Sequence, residues 1–465
     1  MFALSGAGSA RGFALAIMLV GTTALAGCAT TATPSVTDAQ IVTGSIGQDA
    51  LGAAPSALPH PGGSMQLAQV LAYTVDNNPD IGIARSQAKD AAAGTDVAAV
   101  PFMPTIDYSA GIGPETTFAY DTEITTDETR QEASVRASQL LFDFGKTSTD
   151  VERATALKDS ASLRLDAKTT EIMTAAIEAY LGVLELDLQI ANSRQNEAAH
   201  EEMHRIVTLN EQGGNGTIAD VQKALTRLEA ARSQTLDLQA ERRTAASTFE
   251  RVTGMEPVNL QLPHPPAATG TVSQADIANY AATDPFLLSL KQDKISLEAQ
   301  MNALRLDYLP KISLEGTARI QMDAGGTNPA RTDARAMLSI NGTLFDGGDR
   351  AAKIAQIEAR IEETGYRYSR ALDNLEFDVD DAGRILETAG SRLGNIADRI
   401  QSGQGVVTLY GQQFQSGTRS IFELLDAQQE LSAARSEQIT AQFDLLRAKY
   451  RMLRLTGELA KAAAK

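Results

Sequence analysis

The run LFDFG occupies residues 141–145 and LFDGG occupies residues 344–348, and each is followed at once by a long alanine-rich, charged stretch. In both runs the residues before the aspartate alternate with period two, and those after it recur with a helical period. An aspartate at such a switch reads as a helix N-cap, whose carboxylate accepts hydrogen bonds from the first free N–H groups. The glycine beside it permits backbone angles that a side chain forbids. Asp143 with Gly145, and Asp346 with Gly347 and Gly348, are therefore expected to be strand-to-helix joints.

Outward from these joints the chain matches itself. Phe142 and Phe345 lie 203 residues apart, and the same spacing pairs Gln212 with Gln415, Ile218 with Ile421, AARS at 230–233 with AARS at 433–436, and Thr253-Gly254 with Thr456-Gly457. Upstream, Pro79 pairs with Pro285 and Pro104 with Pro310 at a spacing of 206. The expectation is two internal repeats, residues 65–260 and 272–465, joined by a linker over 261–271.

Each repeat reads in one order. Asn78-Pro79 and Asp284-Pro285 start a helix, since proline at the first helical position needs no N–H and the residue before it caps. That helix stops at Pro101 and Pro104, or at Pro310. Two alternating segments follow, such as Ile106, Tyr108, Ala110 and Ile112 interleaved with polar residues, separated by an acidic loop. Strict alternation over about ten residues fits a membrane β-barrel, with a soluble hairpin as the alternative. Beyond the joint, no proline occurs between Gly145 and Met255. A helix of sixty-odd residues at 1.5 Å each spans on the order of 100 Å. The interruptions QGGNGT (212–217) and QSGTRS (415–420) reverse the chain into an antiparallel partner helix.

Composition agrees. The chain has 465 residues, no Trp and a formal charge of −17, with an isoelectric point near 4.8. Such a surface repels phosphate, so nucleic acid is excluded as a partner. The stretch Leu25-Ala26-Gly27-Cys28 closes an apolar segment behind Arg11, so residues 1–27 read as a signal peptide and resemble a lipoprotein leader. On that resemblance Cys28 becomes the acylated first residue of a tether over 28–64, and its acyl groups are the only cofactor expected. Cys28 is also the sole cysteine, so no intrachain disulfide forms. No other stretch is apolar for long enough to be a spanning helix, so a membrane crossing falls to the strands.

His200-Glu201-Glu202-Met203-His204 fits the zinc-protease pattern H-E-x-x-H. It lies in a polar part of the long helix, without a third ligand or a pocket, and GGDR at 347–350 lacks the Walker lysine spacing. No enzymatic activity is expected. Four strands per chain are too few to close a barrel, so the barrel reading requires several copies.

The duplicated halves, the LFDFG and LFDGG joints, Pro104 and Pro310, and the tip stretches GTIADVQKA and GTRSIFELLDAQQELSAARS together resemble the TolC-type outer-membrane channels. That resemblance implies a mixed α and β fold: a homotrimer whose twelve-strand β-barrel continues into a long α-helical periplasmic barrel. It implies a place in the Gram-negative outer membrane, in contact with its lipid. The implied function is that of exit duct for drug efflux or type I protein secretion, with a periplasmic adaptor and an inner-membrane pump of RND or ABC type as partners. The lipobox leans towards the drug-efflux relatives and the GTRS tip towards the secretion branch. The family's gating arginine and acids fall on Arg419, Glu423 and Asp426, and the aspartate that accepts the arginine falls on Asp220. The family's tyrosine partner is Phe414 here, and a threonine is Ala219, so the latch reduces to the ion pair Arg419–Asp220. Gly213, Gly214, Gly417 and Thr418 form the tip turns for adaptor contact. The competing reading is a lipid-anchored periplasmic coiled-coil scaffold without channel activity.

Overall fold

Two helical hairpins of great length dominate the computed structural model, which describes residues 64–119, 124–264, 274–322 and 330–459. Cys28, the leader and all but the last residue of the tether lie outside the described residues, as do residues 265–273 of the linker region. The first set of elements is α1 (Leu67–Asn77), α2 (Pro79–Ala99), β1 (Thr105–Ala119), β2 (Ile124–Phe142), α3 (Lys146–Gln212) and α4 (Ile218–Thr253). The same order follows in α5 (Gln274–Thr283), α6 (Pro285–Leu306), β3 (Lys311–Met322), β4 (Arg331–Asn341), α7 (Asp349–Gln415) and α8 (Ile421–Leu455). Both α3 and α7 have 67 residues, or about 100 Å of rod.

The starts of α2 and α6 follow from their sequences. Asn78 Oδ1 accepts from Asp80 N–H at 2.9 Å, with Pro79 in the first turn, and Asn78 Nδ2 also donates to Val252 O at 2.8 Å. Asp284 Oδ1 accepts from Leu287 N–H at 2.8 Å before Pro285.

The four strands form one antiparallel sheet in the order β1-β2-β3-β4. Its register sorts the side chains cleanly. Tyr108 pairs with Val135, Val135 with Ala318 and Ala318 with Ala334, while one residue away Ser109 pairs with Ser134, Ser134 with Arg319 and Arg319 with Asp333. Neighbours across a pair share a face, so one face is apolar and the other carries the charges. The apolar face is bare: Ile106, Tyr108, Ile112, Leu338 and Ile340 are all exposed. Among the described residues the outer edges of β1 and β4 have no partner strand. No described helix is long and apolar enough to cross a membrane.

Three apolar clusters fix the helices. The largest joins α1, the middle of α3 and the far ends of α4 and α8 around Tyr180, Phe249 and Phe443. A second binds α5, α6, α7 and α8 around Val379 and Ala382. A third lies near the hairpin tips and takes Val207 from α3, Val221 and Ala224 from α4, Val407 from α7, and Ile421, Leu424 and Leu425 from α8.

Between the first and third clusters the α3–α8 interface is polar. Gln189, Asn192, Asn196 and His200 are all buried, while the buried Ser193 hydroxyl meets that of Thr235 on α4 at 2.9 Å. Gln189 exchanges bonds with Ser436, donating to its carbonyl at 3.0 Å and accepting from its hydroxyl at 2.8 Å, and Asn192 donates to Ser432 O at 3.1 Å. Polar residues at successive core positions fix helix register and cost stability.

Candidate functional site

At the joints the aspartates do accept the free N–H groups of the helices, but from two residues before the N-cap. The N-cap residues are Gly145 (φ 94°) and Gly348 (φ 90°), angles that only glycine adopts without strain. The expectation that aspartate is itself the N-cap is corrected on this point. Asp143 accepts from Gly145 N–H at 3.1 Å, from Thr147 N–H at 2.7 Å and from the Thr147 hydroxyl. Burial acts to raise its pKa, but these bonds outweigh it and hold the carboxyl below its ordinary value.

The second joint is built differently. Arg350 stands where the first joint has Thr147, and its guanidinium bonds Asp346, Asp307 O and Thr343 O while stacking 4.2 Å from the Tyr308 ring. One buried arginine thus ties the ends of α6 and β4 to the start of α7. Its hydrogen bond, with the Gly348 N–H, holds Asp346 down at about 2. The folded value lies below the ordinary one, so this contribution is complete above the ordinary carboxylate range and is lost as pH falls through about 2.

Phe144 has φ 59°, and its second-repeat counterpart is Gly347 at φ 66°. The Phe144 ring meets Phe142 edge-on at 4.8 Å, and Phe142 pairs with Ile312 on the apolar face. Phe144 therefore faces the apolar side. A left-handed non-glycine residue costs about 1–2 kcal/mol, and an aromatic pair recovers about 0.5–1.5 kcal/mol. Phe144→Gly should consequently stay within about 1 kcal/mol of wild type in denaturant unfolding, while Gly348→Ala should lose about 1–2 kcal/mol.

At the tips, Gly214 (φ 79°) and Gly417 (φ 75°) occupy matching positions and make the reversals. Gly213 closes α3 with ordinary angles, and Thr418 donates from its N–H and hydroxyl to Gln413 O. Within one chain the anticipated Arg419–Asp220 link is not made. Arg419 donates to Gln413 Oε1 at 2.6 Å and to Glu423 Oε1 at 3.0 Å, and lies 3.8 Å from the Tyr410 ring. Asp220 instead closes a capping box with Thr217. A carboxylate three residues into a helix satisfies the cap N–H locally, and that competes with any distant arginine. Phe414 packs against the tip cluster. Asp426 is paired with Arg227 at 3.0 Å, so neither Glu423 nor Asp426 is a bare charge in the chain. Sequence reasoning missed Tyr410, Gln413 and Arg227. The spacing of Gln413 and Arg419 across the turn was a usable signal for the first pair; nothing local points to Arg227.

Of the two H-E-x-x-H histidines, the first is buried and the second is half-buried. His200 is turned into the α3–α8 seam, 1 % exposed, with its side chain bonded to Gln429. Among the described residues no three His, Cys, Asp or Glu groups are placed to share an ion. His200 Nδ1 and, one turn away, Asn196 Oδ1 are buried without partners. Burial pushes the His200 imidazole below its ordinary value; nearby Arg227 acts the same way, and the Gln429 bond opposes both. A folded value below the unfolded one gives a seam at full stability above about pH 6.5, which weakens as pH falls through the folded value. Hydrogen exchange of α3 amides near residue 200, corrected for intrinsic rates, should therefore rise between pH 7.5 and 5, and His200→Gln should abolish that rise.

The sequence profile of the family described as outer membrane efflux protein matches residues 71–255 and 277–458. The chain belongs to the outer membrane efflux protein family. Two relatives of this outer membrane efflux protein have different named tasks. The outer membrane efflux protein BepC of Brucella suis is 25 % identical over 361 residues, covering 74 % of this chain and 77 % of BepC. The alkaline protease secretion protein AprF of Pseudomonas aeruginosa is 24 % identical over 313 residues, covering 64 % of each. Among solved structures, the CmeC outer membrane channel of Campylobacter jejuni superposes with a TM-score of 0.75 at 15 % identity, covering 84 % of this chain and 86 % of that one. The fold is thus that of the outer membrane channels of this family.

Proposed function

We propose that three copies of this outer membrane efflux protein close their sheets into a twelve-strand barrel that continues into a helical tunnel. This duct would pass cargo from an inner-membrane pump to the outside. The observation that carries this is the four-strand sheet with an exposed apolar face, a charged face and two unpaired edges. Unpaired edges are not tolerated in hydrocarbon, so β4 of one copy must pair with β1 of the next. Cys28 acylation would add a lipid anchor, and the turns at Gly213, Gly214, Gly417 and Thr418 are the surfaces offered to a periplasmic adaptor. Glu423 and Asp426 lie near the tip, where carboxylates released from their arginines would attract cations.

Purified protein should run as a heat-modifiable trimer and give single-channel steps in a planar lipid bilayer. A monomer extractable by salt, without conductance, would instead support the scaffold reading. The named tasks of BepC and AprF span efflux and protease secretion; the pump encoded beside this gene decides between those cargo classes.

A further inference from the structure

We propose that Arg335 of one copy pairs with Glu115 of the partner subunit inside the barrel, and that this ion pair fixes the register of the seam between copies. The pair presupposes the three-copy barrel proposed above.

The two repeats carry one strand register. Thr105 on β1 pairs with Ser138 on β2, and 206 and 203 residues further on Lys311 of β3 pairs with Asn341 of β4. The other end agrees, since Glu115–Glu128 maps in the same way onto Gln321–Arg331. Within the chain, β2 closes the first repeat against β3, which opens the second. Between copies, β4 and the partner's β1 stand in that same relation. Applying the two spacings to the β2–β3 pairs therefore gives the seam residue by residue. Glu132–Gln321 places Arg335 opposite Glu115 of the partner subunit, Gln139–Leu314 places Gly342 opposite the partner's Tyr108, and Phe142–Ile312 places Phe345 opposite the partner's Ile106.

Charge and size play no part in that mapping, yet the residues it joins are complementary. Opposite charges meet on the charged face, and on the apolar face a large ring meets a residue without a side chain. Slipping the seam by one residue exchanges the faces. Slipping it by two sets either Asp333 or Met337 against the partner's Glu115, a like charge or a thioether.

The pair also completes a network. Arg130 bonds Glu115 at 3.1 Å and Glu132 at 2.7 Å within one chain. Arg335 is exposed on the edge strand and has no hydrogen-bond or ion-pair partner among the described residues. A carboxylate accepts from more than one guanidinium, so four charges alternate across the seam. Single exposed pairs are weak, and networks of them are less so.

The second joint is finished by the same contact. β2 runs to Phe142 against β3, but β4 stops at Asn341, and Leu344 and Phe345 stand exposed. The partner's Ile106 and Asp107 supply the neighbours that Phe345 and Thr343 lack, so β4 reaches its full repeat length only on assembly.

The test is cross-linking of the full-length protein in a Cys28→Ala background. Asn341→Cys is combined in turn with Asp107→Cys, Ser109→Cys and Gly111→Cys, and each variant is oxidised with copper phenanthroline. The 341–109 combination should give covalent trimers on denaturing gels, several-fold more than the other two. Directly opposite residues lie about 5 Å apart, and those displaced by two lie beyond the roughly 7 Å that a disulfide spans. R335Q should lower the temperature at which trimers fall to monomers, R335E should lower it further, and E115Q should abolish both effects. Strongest cross-linking at 107 or 111, no cross-linking in a protein that is trimeric, or equal effects of R335Q with and without E115Q overturns the pair and leaves the barrel reading to its own test. A protein that stays monomeric removes the barrel reading and the pair with it.

Discussion

Tyr180→Ala should lower the unfolding free energy by about 3–5 kcal/mol, the range for deleting a fully buried aromatic ring. The ring is 0 % exposed at the centre of α3 and packs 6.3 Å from Phe249. Its hydroxyl lies 2.8 Å from Met65 O and 2.6 Å from Gln261 O, and accepts from Gln261 N–H at 2.9 Å. One side chain therefore holds the chain entering α1 against the chain leaving α4, where Met65 and Leu260 form a parallel bridge. Tyr180→Phe keeps the ring and takes the donor from Gln261 O, while Gln261 N–H still donates to Met65 O at 3.1 Å; the orphaned carbonyl costs about 1–3 kcal/mol. Burial pushes the phenol up to about 12 even though Gln261 acts to lower it. The folded value is raised, so the contribution is whole below the ordinary phenol value and is lost only as pH rises through about 12. Denaturant unfolding of the detergent-solubilised protein at neutral pH measures both variants; equal losses in the two would show that the hydroxyl bonds, not the ring, carry the site.

Val135→Lys should cost about 2–4 kcal/mol in a bilayer, because it places an ammonium on the lipid-facing side of a barrel strand. Ser134→Lys, one residue away, should cost little. Val135 sits between Tyr108 and Ala318, and Ser134 between Ser109 and Arg319. The difference belongs to the face, since strand, depth and substituent are shared. Folding into vesicles of defined thickness followed by urea titration reads it out. Equal costs would reverse or abolish the face assignment, and with it the barrel.

Much of this fold was legible in the sequence because its determinants are local. The prolines at 79 and 285, the aspartate–glycine joints and the change of period from two to helical each act within a few residues. What could not be read depends on contacts between distant segments. Arg350 and Thr147 occupy matching places, yet one is a clamp and the other a capping partner, because only the second joint brings Tyr308 and the carbonyls of Asp307 and Thr343 within reach. The Arg419–Asp220 link is absent within one chain for a related reason. Asp220 is within one helical turn of Thr217, and a local cap outcompetes a partner that must be carried in by another helix. The polar seam was visible only as a run of polar residues; α8 turns it into an interface.

The two unpaired sheet edges carry a consequence for mixtures of good and defective copies. In the three-chain barrel proposed above every outer strand edge would be used once by a neighbour, so no partial ring would be sealed against lipid. A copy whose β4 edge is blocked, for example by proline at Ser339, cannot be compensated by the other two. Functional ducts should then fall as the cube of the intact fraction rather than in proportion to it. A single defective allele would silence most of the output of a healthy one.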